Sequence, residues 1–403
     1  YGEAEQIFKK ANDIAAENED QEALKNECCY GSQCARSLQL SSKYSKNIQI
    51  SNLTFINTQY SEYGISISNK SLYFSSMRKN EKDITDQRTL QGFSDLYKTS
   101  LEREDFAETA IIPLEKAVNH NKNNDACIAF NTDQSEAYFT RCFGKPMHCE
   151  ILKAGNLKNG FFNSANKINI VSKDYSIGHP TLSSDGNIMI FVSDMTGGYG
   201  MRDLYISTKD GNKWSEPVNL GANINTEYDE MFPSFFNDEI LVFSSSGHRS
   251  SGGLDIFISK KENNSWSAPK KLSCPINTGA DDFGLIFNES EEHGYFCSNR
   301  PGGAGSDDIY SFNGFPVGVK FNGIVKDETT GETISNAIIV FENENSTDTL
   351  YTNSAGKVCL EFPFGSEYNI RVIKDEYIIL ETNLEISEEK SLFPDDHTAE
   401  YLL

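Results

Sequence analysis

The chain has 403 residues, 38% of them hydrophobic with 26 Phe and 18 Tyr, which is enough apolar material for two or three packed domains. Asp and Glu number 59 against 36 Lys and Arg, a formal charge of −23. A surface that acidic repels phosphate backbones and anionic membrane surfaces, which argues against nucleic acid as a partner. No run approaches the roughly 18 apolar residues of a spanning helix, and the amino terminus lacks a charged start followed by an apolar region. Beginning at Tyr1 without Met, the chain is expected to be a processed or trimmed product from which signal or lipid-anchor information was removed.

Residues 1–40 read first as helix. Ala4, Ile7, Phe8, Ala11, Ile14 and Ala15 recur at three and four positions, the spacing of an amphipathic helix. Tyr1, Ala4, Phe8 and Ala11 are spaced like the second helix of a tetratricopeptide repeat, so this segment is either the end of such an array or a lone capping helix.

From residue 46 to 315 the pattern changes to short apolar runs broken by Gly, Asn, Asp and Ser, which predicts antiparallel strands and turns. The stretch Gly178–Asn225 is a unit that recurs. Asp203 and Asp255 are 52 positions apart, as are Trp214 and Trp266, and Asp308 follows Asp255 by 53. An earlier copy carries Asp95, with a long polar loop from Arg78 to Gly92, and an eroded one carries Glu150 in place of Asp. Five copies with four strands each predict a five-bladed β-propeller. The last copy stops after Tyr310-Ser311-Phe312 without a fourth strand, whereas Asn47–Leu53 is a strand without a blade. The first strand is therefore expected to complete the last blade and close the ring, removing free sheet edges. The repeat marks Asp95, Glu150, Asp203, Asp255, Asp308, Trp214 and Trp266 read as structural. The Asp carboxylates are expected to accept N–H bonds from the preceding turn, the Gly-Gly pairs to supply unusual backbone angles, and the Trp rings to pack between blades.

Residues 319–403 hold about seven short strands, among them Val319–Val325, Ala337–Phe341, Val358–Phe362, Tyr368–Ile373 and Tyr377–Leu380. That pattern predicts a small antiparallel sandwich. The nine cysteines lack paired CxxC spacings with partner His, which argues against structural zinc. A Cys127–Cys142 bridge across a hairpin and a bridge from Cys28 or Cys29 to Cys34 are the candidate disulfides, with buried thiols as the alternative.

No HExxH spacing, nucleophile elbow or phosphate-binding loop occurs, and His179 and His248 read as satisfied turn or core residues. The pairs Asp281-Asp282 and Asp307-Asp308 invite a glycosidase reading. Their repeat-equivalent places make solvated turn residues the expectation instead. No catalytic residue, cofactor or metal is assigned.

The propeller copies resemble PD40 repeats, the WD40-like blades also found in TolB, through Ser184-Asp185-Gly186, the Asp-Leu-Tyr marks and Trp214-Ser215-Glu216-Pro217. Residues 319–403 are similar to the carboxypeptidase regulatory-like (transthyretin-like) module through Gly323-Ile324-Val325, Thr330-Gly331-Glu332, Asn336-Ala337 and Gly356, with Glu376-Tyr377 where that module usually has Gly-Tyr. The order helical repeat, propeller, sandwich resembles the PorE-like family of periplasmic components of the Bacteroidetes type IX secretion system. That resemblance implies a non-catalytic, outer-membrane-associated periplasmic scaffold, with envelope and secretion-system proteins as partners. In that family peptidoglycan is gripped by a further domain, which this sequence does not contain. The alternative is a carbohydrate- or peptidoglycan-fragment-binding propeller, or a hydrolase, using the central channel.

Overall fold

The computed structural model describes residues 48–78, 90–102, 110–131, 133, 134, 136–156, 162–263, 265–288, 290–344 and 346–403. The expected helix at 1–40 and the Cys28, Cys29 and Cys34 thiols lie outside the described residues. The described secondary structure is β throughout, in two units: one spans Gln49–Gly314 and the other holds Phe315–Leu403.

The larger unit has a propeller-like architecture of five antiparallel sheets. The first holds Glu62–Ser68, Ser71–Ser76, Asp95–Ser100 and Ile112–Pro113. The second holds Asn124–Phe130, Glu136–Phe143, His148–Asn156 and Phe162–Lys167. The third begins with Ile177–Leu182, Ile188–Ser193 and Asp203–Asp210, and the fourth with Glu230–Asn237, Ile240–Ser245 and Asp255–Glu262; in both, two short strands flank the third. The fifth holds Asp282–Asn288, Ser290–Ser298 and Asp308–Asn313, and its outer strand is Gln49–Asn52, from the start of the unit. The inner strand of each sheet lies beside that of the next, and the fifth inner strand lies beside the first.

The central strands are buried because both their faces are covered. Ile240–Ser245 is buried at every position, the signature of a strand packed between neighbouring sheets rather than one with a wet face. Trp266, 7% exposed, packs in a cluster with Ile190, Val192 and Leu204 of the third sheet and Leu241 and Phe243 of its own. Trp214 meets Tyr138 of the second sheet edge-to-face, centroids 5.8 Å apart. Replacing Trp266 by Ala is expected to cost about 3–5 kcal/mol, the range for a large buried aromatic. Urea unfolding would check it, and a cost below about 1 kcal/mol would show that the indole does not hold the two sheets together.

The smaller unit has a three-stranded and a four-stranded sheet around one apolar core, in which Phe321 of the first meets Phe341 of the second at 5.6 Å. Two expectations are corrected here. Val319–Lys326 pairs with His397–Leu402 in parallel, so this unit is not wholly antiparallel. Tyr377–Leu380 is not a strand: Glu376 takes a left-handed φ of 71°, the Tyr377 amide turns back to the Lys374 carbonyl, and the strand begins at Leu380. The Tyr377 hydroxyl donates to Asp327 at 2.7 Å, which holds that turn.

Candidate functional site

The repeated carboxylates form two internal sets. In the first, at the start of the third strand, Asp203 accepts from the Tyr199 and Gly200 amides at 2.6 and 3.0 Å and from the Asn219 side chain at 2.8 Å. Asp308 accepts from the Ala304 and Gly305 amides and from Asn52. Asp255 accepts from the Ser251 amide and from Lys271. In two of the pairs the second glycine is required by this closeness: a Cβ at Gly198 would sit 2.1 Å from the Asp203 carboxylate, and one at Gly303 would sit 2.3 Å from Asp308, whereas one at Gly253 would meet Asp281 at 1.8 Å. Gly197 and Gly302 have left-handed φ of 89° and 93°. Gly252 does not, and is needed instead because a Cβ there would lie 2.4 Å from the Ala280 carbonyl. Asp95 begins the third strand of the first sheet and is half-buried. Glu150 departs from the set and pairs with Lys167.

The second set lies at the start of the inner strands. Glu62, Glu230 and Asp282 are fully buried, and each accepts from a Thr amide and hydroxyl four residues earlier and from a Ser at the end of the second strand. Arg300 lies 2.6 Å from Asp282, donates to the Pro275 and Ile276 carbonyls, and sits over the Phe296 and Tyr310 rings. Arg78 repeats this with Glu62 and the Ile56 carbonyl, and Arg141 with Asp125 and the Val118 carbonyl. His248 takes the same place in the fourth sheet, 2.8 Å from the Ile224 carbonyl. Each side chain thereby ties one sheet to the segment that closes its predecessor. Asp282 and Asp308 are thus buried and bonded, correcting the expectation of solvated turn residues. Burial pushes the Asp125 carboxyl up to about 6 despite Arg141, and raises Glu230 and Asp255. Raised carboxyls often mark catalytic acids, but these are engaged in internal bonds.

A third set was visible in the sequence only as Ile-Asn repeats. Asn57, Asn225 and Asn277 each accept an amide and donate to the carbonyl of one residue, Ile309, Leu204 and Ile256 respectively. Asn119 does the same for Leu96. Asn57 reaches 252 residues along the chain to do so, so it fastens the fifth sheet together with Gln49–Asn52.

Facing the channel, all five inner strands bulge at one position, where Gly64, Cys127, His179, Phe232 and Gly284 take left-handed φ between 49° and 64°. The Cys127 and His179 amides donate to Ser75 and Thr140 of the preceding sheet, and Gly284 to Ser244. Val192 offers no hydroxyl at the corresponding place, and the Phe232 amide turns to His179 Nδ1 at 3.4 Å. The strand register overturns the Cys127–Cys142 bridge, since Cys142 lies opposite Asn124, three residues before Cys127. Cys142 instead bonds Cys149, its direct partner on the next strand. Cys127 is a buried thiol that burial pushes up to about 12.

The His179 and Phe232 rings stack at 4.2 Å, and Phe232 meets Phe283 at 4.8 Å. The stack lies among the bulged inner strands, with a void of about 30 Å³ beside it. Desolvation, with the Arg202 charge adding to it, pushes His179 down to about 3. The unfolded chain binds this proton below its ordinary 6.5 while the folded chain binds it only below about 3. Stability is therefore expected to be fully present above pH 6.5 and to fall as pH drops from 6.5 towards 3. In His179→Asn, which tolerates the left-handed backbone, that fall should be shallower. Urea midpoints across this range would check it.

Above the stack is a cavity of about 470 Å³, walled by Ile177 and Val192, by Met77, Met147 and Met231, and by the Cys142–Cys149 disulfide. It adjoins the third sheet, which lacks the acid–cation tie: Ile177 stands where the others carry Glu or Asp, and Met195 where the first and fifth sheets carry Arg. Asp194 is the one carboxylate among the described lining residues, and its Oδ1 accepts from the Ser176 amide at 2.8 Å. Arg202, also lining, pairs with Asp229 at 3.2 Å. Among the described residues no group of His, Cys, Asp and Glu is arranged to hold a metal ion, and no helix is long and apolar enough to cross a membrane.

No protein-family model and no curated protein sequence matches the chain. Similar solved structures include TolB from Acinetobacter baumannii, 12% identical over 85% of this chain and 70% of that one, with a TM-score of 0.37. The putative TolB from Agrobacterium tumefaciens is 12% identical over 79% of this chain and 98% of that one, at 0.40. The catalytic domain of a Coprinopsis cinerea GH62 α-L-arabinofuranosidase is 12% identical over 64% of this chain and 90% of that one, at 0.39.

Proposed function

We propose that this chain is a non-catalytic scaffold of the bacterial envelope, a five-bladed propeller followed by a regulatory-like sandwich over 319–403, that works through protein–protein contacts. The observation that carries this reading is the division of its polar groups. The recurring carboxylates are engaged within and between sheets, while the ligand-sized cavity has apolar walls and a single carboxylate. A Cys142–Cys149 disulfide suits an oxidising compartment such as the periplasm. The PorE-like resemblance of the sequence makes a type IX secretion component at the outer membrane the particular form we favour, with any grip on peptidoglycan belonging to the further domain of that family. A glycosidase of the usual kind needs two carboxylates flanking a sugar, which the described cavity does not offer. Crosslinking in cells followed by mass spectrometry tests the reading. Secretion-system or outer-membrane proteins are the expected partners, and their absence from the crosslinked set would contradict it.

A further inference from the structure

We infer that the cavity at the channel mouth is a docking socket for a segment of a partner protein in which a bulky apolar side chain is flanked by Lys or Arg; this rests on the scaffold reading and gives that scaffold its contact point. The position comes first. The socket adjoins the sheet in which Ile177 and Met195 replace the acid and cation that tie the other sheets to their predecessors. The shape follows. A volume of about 470 Å³ is that of a ligand site, and His179, one of its lining residues, is held in place by stacking on Phe232. The lining sets the chemistry. Three of the chain's six methionines, Met77, Met147 and Met231, meet here. Unbranched thioethers repack around apolar groups of different shape, as promiscuous binding surfaces do.

Charge decides the flanks. Arg202 is neutralised by Asp229, which leaves the Asp194 carboxylate as the net charge of the rim, on a chain of charge −23. A basic neighbour of the apolar anchor gains from both, whereas a fatty acid would bring its carboxylate to an acidic mouth.

The test uses the full chain and three fluorescein-labelled nonapeptides read by polarisation: a central Phe-Leu pair flanked by lysines, the same pair flanked by glutamates, and the lysine peptide with Ser-Ser at its centre. The lysine Phe-Leu peptide is expected to bind at least tenfold more tightly than either of the others. Met147, 51% exposed in a hairpin turn, can be changed without disturbing a core, and Met147→Glu should weaken that peptide at least tenfold with an unchanged melting curve. Asp194→Asn keeps the acceptor for the Ser176 amide but removes the charge, and should bring the lysine and glutamate peptides within about threefold of each other. Equal binding of the three peptides, indifference to Met147→Glu, or saturable uptake of dodecanoate with no peptide bound would overturn the socket. Crosslinks to envelope proteins that persist in Met147→Glu would reject this site while leaving the scaffold reading in place.

Discussion

A chain lacking Gln49–Asn52 is expected to lose about 10 °C or more in melting temperature and to aggregate. The strand is the outer edge of the fifth sheet, paired with Asp308–Asn313 over four residues, and its Asn52 side chain donates to the buried Asp308. It also places Leu53 and Ile56, 7% and 0% exposed, in a cluster with Phe283, Tyr295 and Ile309. Losing these contacts should cost several kcal/mol, and each kcal/mol is worth about 2–4 °C for a domain of this size. Aggregation follows from the bare edge left on Asp308–Asn313. Calorimetry checks the prediction, and an unchanged melt would mean that the ring does not depend on this closure.

Replacing Arg300 by Leu is expected to cost about 3–5 kcal/mol, because it leaves the Asp282 carboxylate buried and uncompensated. The same change removes donors to the Pro275 and Ile276 carbonyls and the cation over Phe296 and Tyr310. The double change Asp282→Asn with Arg300→Leu should recover part of the loss, since the stranded charge is gone. Urea unfolding of both variants separates the contributions. A single-variant cost below about 1 kcal/mol would show that Asp282 is solvated after all.

How much of this was legible in the sequence depends on how far each feature reaches. The sheets were legible because their strands are consecutive and their turns carry Gly-Gly and Asp marks at a fixed spacing. Closure was legible because a missing fourth strand at Phe312 matched a spare one near Asn47. The ties between sheets were not, because Arg300 reaches the Pro275 and Ile276 carbonyls across a junction and Asn57 finds Ile309 252 residues along the chain. The bulge ring is intermediate. Gly64 and Gly284 stand inside strands at the same repeat position as His179, which is a sequence sign of a bulge, but Cys127 and Phe232 hide it. The Cys127–Cys142 expectation failed because the hairpin register sets Cys142 opposite Asn124 on one side and Cys149 on the other. The channel-mouth cavity draws its walls from several sheets and has no linear signature.

On the proposed reading the molecule meets other molecules at the apolar mouth, and not through its buried carboxylates. The most direct measurement is photocrosslinking in cells from a benzoylphenylalanine placed at Met147, beside the mouth, and at Glu239, in the turn at the far end of an inner strand. The account predicts discrete crosslinked envelope proteins from position 147 and none from position 239. Crosslinks from 239 alone, or identical patterns from both positions, would contradict it.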